Sequence, residues 1–183
     1  MILDRYDAGR LKIWITEMGC VSQNSGYSEA QIAAYNIRTY LLALTLPFVQ
    51  EIFKYNFQDR GAPDSDQWVD TMGMVRADGS PKPSYVAYNT MARMLYKKHF
   101  LRALPVGEGS YLYEFAGEGG SVFAAWSSKG NKVLPLETSA GQVGLVDLMG
   151  NETVSLAHGK RLNLDLTEEP VFVTCGAALV PEL

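Results

Sequence analysis

Two regimes of hydrophobic spacing follow one another along the chain. In the first hundred residues, short apolar runs alternate with stretches where apolar residues recur every three or four positions. Leu11-Lys12-Ile13-Trp14-Ile15-Thr16 is short, β-branched and aromatic, which predicts a buried strand. Ser28-Glu29-Ala30-Gln31 fits a capping box, in which Ser28 accepts from the amide three residues on and Gln31 reaches back. Ala33, Ile37, Tyr40, Leu41 and Leu44 then recur at helical spacing, predicting a helix to about Leu46, where Pro47 forbids its continuation. Phe48 to Phe53 predicts a second buried strand, and strand, helix, strand with short connections is a βαβ unit with parallel neighbours. Residues 1–9 read as a helix end capped by Gly9. Asn56 to Gly79 is a long polar loop, after which Ser80-Pro81-Lys82-Pro83 opens a third helix with Val86, Tyr88, Met91, Met94 and Leu95 on its apolar face.

Beyond Leu104-Pro105 the period changes. Residues 111–115, 121–126, 132–136, 143–148, 153–156, 162–166 and 171–174 are short strand candidates separated by turns containing Gly, Asn or Pro. Strands at intervals near ten residues predict an antiparallel sandwich. The expected organisation is therefore an α/β segment over 1–100 and an all-β domain over 101–183.

Composition changes this picture little. The chain has 183 residues, 47% hydrophobic and 20% charged, with a net charge of −4. No basic stripe interleaved with aromatics appears, which argues against nucleic acid as a partner. The longest apolar run, Tyr40 to Val49, is too short to span a bilayer, and the first residues lack the apolar stretch of a signal peptide. Cys20 and Cys175 fall in separate segments and read as free thiols. His99 and His158 fall in no metal-ligand spacing with them and read as surface residues, so neither metal nor cofactor is expected.

The candidate chemistry centres on Glu17, which follows the first strand directly. At the C-terminal end of a barrel strand a carboxylate faces a shared cleft; on position alone Glu17 is equally a surface or capping acid. Glu51 sits inside the second strand and reads as a buried, hydrogen-bonded structural acid. Asp59, Asp64, Asp66 and Asp70 lie in the long loop, miss the calcium-loop spacing, and read as solvated. Trp68 is either a stacking residue at a cleft rim or a loop anchor. No serine stands in a Gly-x-Ser-x-Gly elbow.

Ile13-Trp14-Ile15-Thr16-Glu17-Met18-Gly19 resembles the seventh-strand signature of the clan A retaining glycoside hydrolases. Gln31 and the helix through Arg38 to Leu44 resemble the helix that follows. Phe48 to Phe57, with Asp59 and Gly61, resembles the eighth strand and its exit, and Gly73 to Tyr85 the approach to the last helix. Leu162-Asn163-Leu164-Asp165-Leu166 and Pro170-Val171-Phe172-Val173 are similar to the small β-domain behind such barrels. The resemblance implies the C-terminal portion of a (β/α)8 barrel followed by a small β-sandwich. It makes Glu17 the nucleophile, and Tyr55, Phe57, Asp59 and Trp68 are the candidate substrate-binding residues beside it. One departure stands out: Lys54 occupies the position where relatives carry a sugar-stacking Trp, which leaves Tyr55 or Phe57 to take that role.

Retention needs two carboxylates about 5–5.5 Å apart. The resemblance puts the acid/base on the fourth strand, which this chain does not contain. A whole barrel takes about 250 residues, so the isolated chain is expected to be inactive or nearly so. A non-catalytic reading stands beside this one. In it the β-domain braces the barrel or binds polysaccharide through Tyr111, Tyr113 and Trp126, with bracing favoured. Open sheet edges further suggest that a homo-oligomer or the missing barrel segment covers them. The expected partner is a carbohydrate, with no nucleic acid and no membrane; the sugar and the compartment do not follow from sequence.

Overall fold

A computed structural model describes residues 11–20, 26–61 and 67–182. The expected helix end at residues 1–9, part of the loop after Glu17, and Asp64 and Asp66 lie outside the described residues.

The first half begins with β1 (Ile13–Met18), α1 (Glu29–Leu44) and β2 (Val49–Lys54). β1 and β2 pair in parallel, with Trp14 opposite Glu51 and Ile15 opposite Ile52, as the βαβ pattern predicts. The capping box is present: the Gln31 amide donates to Ser28 Oγ at 3.2 Å, and the Ser28 amide donates to Gln31 Oε1 at 2.9 Å. The helix ends at its Thr45 cap, two residues before Pro47. After a 3-10 turn over Trp68–Thr71 comes α2 (Pro83–Met94), with Pro83 in its first turn.

The second half holds nine strands: β3 (Lys98–Ala103), β4 (Ser110–Gly117), β5 (Gly120–Ser127), β6 (Lys132–Glu137), β7 (Gln142–Val146), β8 (Glu152–Leu156), β9 (Arg161–Leu166), β10 (Val171–Thr174) and β11 (Val180–Pro181). They form a six-stranded sheet in the order β3-β4-β5-β10-β7-β8 and a three-stranded sheet in the order β11-β6-β9. All the pairings are antiparallel.

The centre of the large sheet is buried on both faces, while its edge strands β3 and β8 are largely exposed. Along β5, Val122, Ala124 and Trp126 join a cluster with Ile37, Leu41, Ala87 and Met91 of the helices. The alternate residues Phe123 and Ala125 join Leu134, Leu136, Leu162 and Leu164 of the small sheet. Successive side chains point to opposite faces of a strand, so a strand sandwiched twice reads as an unbroken apolar run, as Val122 to Trp126 does. β9 has one dry face only, and its pattern alternates: Leu162, Leu164 and Leu166 are buried, Arg161, Asn163 and Asp165 exposed. Tyr111, Tyr113 and Trp126 lie in the layer between helices and sheet, Trp126 with 1% exposure and stacked on Tyr111 at 4.6 Å.

Two expectations need correction. β1 and β2 are not buried: Trp14 is 58% exposed, and Thr16, Glu51 and Phe53 are exposed as well. A barrel strand is dry because layers of side chains from other strands fill the interior, and here two strands stand without them. Glu51, expected as a buried acid, is therefore solvated. The long loop is also not simply solvated: Met72, Gly73, Met74 and Val75 are all buried, and Val75 bridges to Gln58 and Pro81.

Candidate functional site

Glu17 stands next to last in β1, exposed, at the C-terminal end of the parallel pair. Just past it, the Tyr55 amide donates to the Met18 carbonyl at 2.8 Å, extending the pairing beyond β2. A cleft of about 350 Å3 opens here, lined by Glu17, Met18, Gly19, Tyr55, Val69 and Met72. Glu17 is the one carboxylate among these. The resemblance brought Glu17 and Tyr55 together, and both line this cleft. Val69 and Met72 carry no chemical signal in the sequence; they arrive because the 3-10 turn folds the long loop over the strand ends.

The walls are held from behind. A methyl group on Gly19 would fall 2.4 Å from the Tyr55 carbonyl oxygen and 2.7 Å from Met72 Cε, so only glycine lets the loop after Glu17 pass this close. Lys54 Nζ donates to the carbonyls of Tyr55 at 2.6 Å and Met72 at 2.7 Å, tying the strand end to the loop. Lys54 is thus a tether behind the cleft wall.

Asp59 is placed deeper. It is 8% exposed, and its carboxylate accepts from the Gly73 amide at 2.7 Å and from Lys82 Nζ at 2.7–2.8 Å. Lys82, 6% exposed, also donates to the Thr71 carbonyl at 3.0 Å. With its oxygens engaged, Asp59 braces the loop and is not presented to a ligand. Phe57 is exposed and packs edge-on against Tyr85 at 6.3 Å, outside the cleft lining. Trp68 opens the 3-10 turn; its side chain lies outside the described residues. Cys20 and Cys175 are free thiols.

Burial pushes the Lys54 ammonium down to about 8, the neighbouring charge of Lys82 adds to this, and Cys20 and Asp59 pull it partly back. The folded state therefore binds the Lys54 proton less tightly than the unfolded chain, whose lysine titrates near 10.5. Below pH 8 the fold bears the full cost of a desolvated charge, and the cost vanishes as pH rises to 10.5. We expect this residue to make stability climb by about 1–3 kcal/mol over that window, after discounting for its partial exposure. Urea unfolding of wild type and Lys54→Met at pH 7.5 and 10 checks it. The difference in stability between the two proteins shifts with pH; parallel pH dependences would contradict the assignment.

No protein-family model matches the chain, and no curated protein matches it in sequence. Solved structures do match. A family 39 glycoside hydrolase from the gut symbiont Bacteroides cellulosilyticus WH2 superposes with a TM-score of 0.80 and 28% identity, over 92% of this chain and 34% of that one. A GH30 endoxylanase from Clostridium papyrosolvens C71 superposes with a TM-score of 0.61 and 12% identity, over 97% of this chain and 44% of that one. The first likeness joins fold with sequence; the second speaks to fold alone. The chain spans about a third of the length of the first and less than half of the second. With two parallel strands whose ends form a cleft, two helices behind them and a sandwich braced on those helices, the chain has the architecture of the C-terminal part of a clan A glycoside hydrolase.

Proposed function

We propose that this chain contributes the nucleophile and one wall of the cleft to a retaining glycoside hydrolase acting on β-linked O-glycosides. The reading is carried by one observation: Glu17, exposed at the end of a parallel strand, is the one carboxylate among the described residues that line a cleft shared with Tyr55 of the neighbouring strand end. A Glu17 oxygen attacks the anomeric carbon as the bond to the leaving oxygen breaks, giving a glycosyl ester. A second carboxylate, from barrel strands outside this chain, protonates the leaving oxygen and then takes a proton from the water that cleaves the ester. Two inversions give net retention. Tyr55 offers an aromatic face to the sugar, Asp59 and Lys82 hold the loop that shapes the cleft, and the β-sandwich braces the helices behind the strands. The open β1–β2 sheet is covered by the remaining barrel strands or, failing those, by a second copy.

The test is hydrolysis of a panel of aryl β-glycosides by the chain alone, by the chain joined with the rest of its barrel, and by each with Glu17→Gln. The expected result is turnover by the completed barrel, little or none by the chain alone, and loss of turnover on Glu17→Gln. An amide cannot supply the anionic oxygen that forms the ester. Undiminished turnover by the Glu17→Gln barrel would remove Glu17 from the mechanism.

A further inference from the structure

A second cavity, of about 480 Å3, opens where α1 meets the sandwich, and it shares no lining residue with the Glu17 cleft. Tyr35, Arg38 and Thr39 line it from α1, at the i, i+3, i+4 spacing that puts side chains on one helix face. Tyr111, Ser128 and Glu168 line it from the sandwich.

Its side chains are set but not satisfied by one another. The Arg38 guanidinium lies 4.5 Å over the Tyr35 ring, a cation–π contact that holds the charge beside the aromatic face. Among the described residues neither Arg38 nor Glu168 forms an ion pair. Tyr111 stacks on buried Trp126 with only 9° between the rings, so its orientation is fixed by the core. Burial raises the pKa of the Tyr35 hydroxyl, with Tyr27 and then the charge of Glu168 adding to it, which sets Glu168 near the same ring.

The cavity falls in the size range of small-molecule sites, and it mixes aromatic surface with a guanidinium, a carboxylate and four hydroxyls, of which those of Thr39 and Ser128 already donate to the Tyr35 and Gly109 carbonyls. A pyranose has complementary chemistry: an apolar C–H face for the aromatics and neighbouring hydroxyls that both donate to a carboxylate and accept from a guanidinium. A purely protein-facing patch would be depleted of unpaired charge at its centre. We infer that this groove is a second saccharide site, holding part of a β-linked oligosaccharide outside the cleft; the choice of ligand class rests on the glycosidase reading above.

The experiment is titration of the chain with xylohexaose, cellohexaose and mannohexaose, each to millimolar concentration, followed by calorimetry. At least one sugar binds the wild type. Arg38→Ala and Tyr35→Ala raise the Kd about tenfold or more, Arg38→Lys also weakens binding because it keeps charge but loses the planar fork, and Glu17→Gln binds as wild type. Both groove positions are half-exposed, and unchanged circular dichroism verifies that the variants fold. Three results overturn the site: no binding of any of the three sugars, equal binding by Arg38→Ala and wild type, or binding lost only on Glu17→Gln. The last would move the sugar to the cleft and leave the glycosidase reading intact. Binding that depends on Arg38 and survives Glu17→Gln establishes the groove whatever the cleft proves to do.

Discussion

Lys82→Met should destabilise the fold by about 3–5 kcal/mol, the typical cost of removing one partner from a buried ion pair. Methionine fills most of the space, so lost packing is a small part of the effect. What remains is a carboxylate, Asp59, 8% exposed and without its cation. The Gly73 amide still donates to it, but one neutral hydrogen bond does not offset the desolvation of a charge. The double variant Asp59→Asn/Lys82→Met should be less destabilised than the sum of its single changes, because it removes the stranded charge as well. Denaturant unfolding measures all three proteins. A loss below 1 kcal/mol for Lys82→Met would mean that water reaches the pair and that it does not anchor the loop.

Trp126→Ala should cost a similar amount, about 3–5 kcal/mol, for a different reason. The indole is 1% exposed, stacked on Tyr111 and met edge-on by Tyr113 at 5.3 Å, and it belongs to the cluster that joins helices to sheet. Deleting it leaves a cavity at that joint. The small sheet, whose core is the separate cluster around Leu136 and Leu164, loses nothing directly. Hydrogen exchange should therefore accelerate more in α1 and α2 than in β6 and β9. Equal acceleration throughout would show that the molecule opens as one cooperative unit, with no seam at the joint.

Much of this architecture is local, and what is local is legible in the sequence. Ser28 and Gln31 are three residues apart, so their capping box and the helix behind it follow from spacing alone. The parallel pairing of β1 and β2 follows from the length of the helix between them, and the alternation of Leu162, Leu164 and Leu166 announces a strand with one dry face. Burial is another matter, because it belongs to neighbours. Nothing inside Phe48 to Phe53 says whether other strands stand beside it, so Glu51 was expected buried and is solvated. The strand Lys98–Ala103 carries no clear sequence signal, because an edge strand tolerates charge and needs no clean alternation. It crosses the expected boundary at residue 100 and joins the large sheet.

The same division holds at the site. Glu17 and Gly19 share one motif, and the tight passage that Gly19 allows beside Tyr55 gives that glycine a steric reason. Asp59 and Lys82 are 23 residues apart, and no pattern of single residues marks two opposite charges as partners. The pair comes to light only in the fold, where it ties the loop at Thr71 and Gly73 together. Lys54 is similar: its departure from an aromatic was visible, but its carbonyl partner Met72 arrives only with the folded loop.

If Glu17 is the nucleophile, a covalent glycosyl ester forms on its side chain and can be read there directly. The completed barrel would be incubated with an activated 2-deoxy-2-fluoro-β-glycoside, which forms the glycosyl ester faster than water can cleave it, then digested and sequenced by mass spectrometry. The expected result is one added fluoroglycosyl group on the peptide containing Glu17, and none in the Glu17→Gln protein. A label on any other carboxylate of an active enzyme would contradict it.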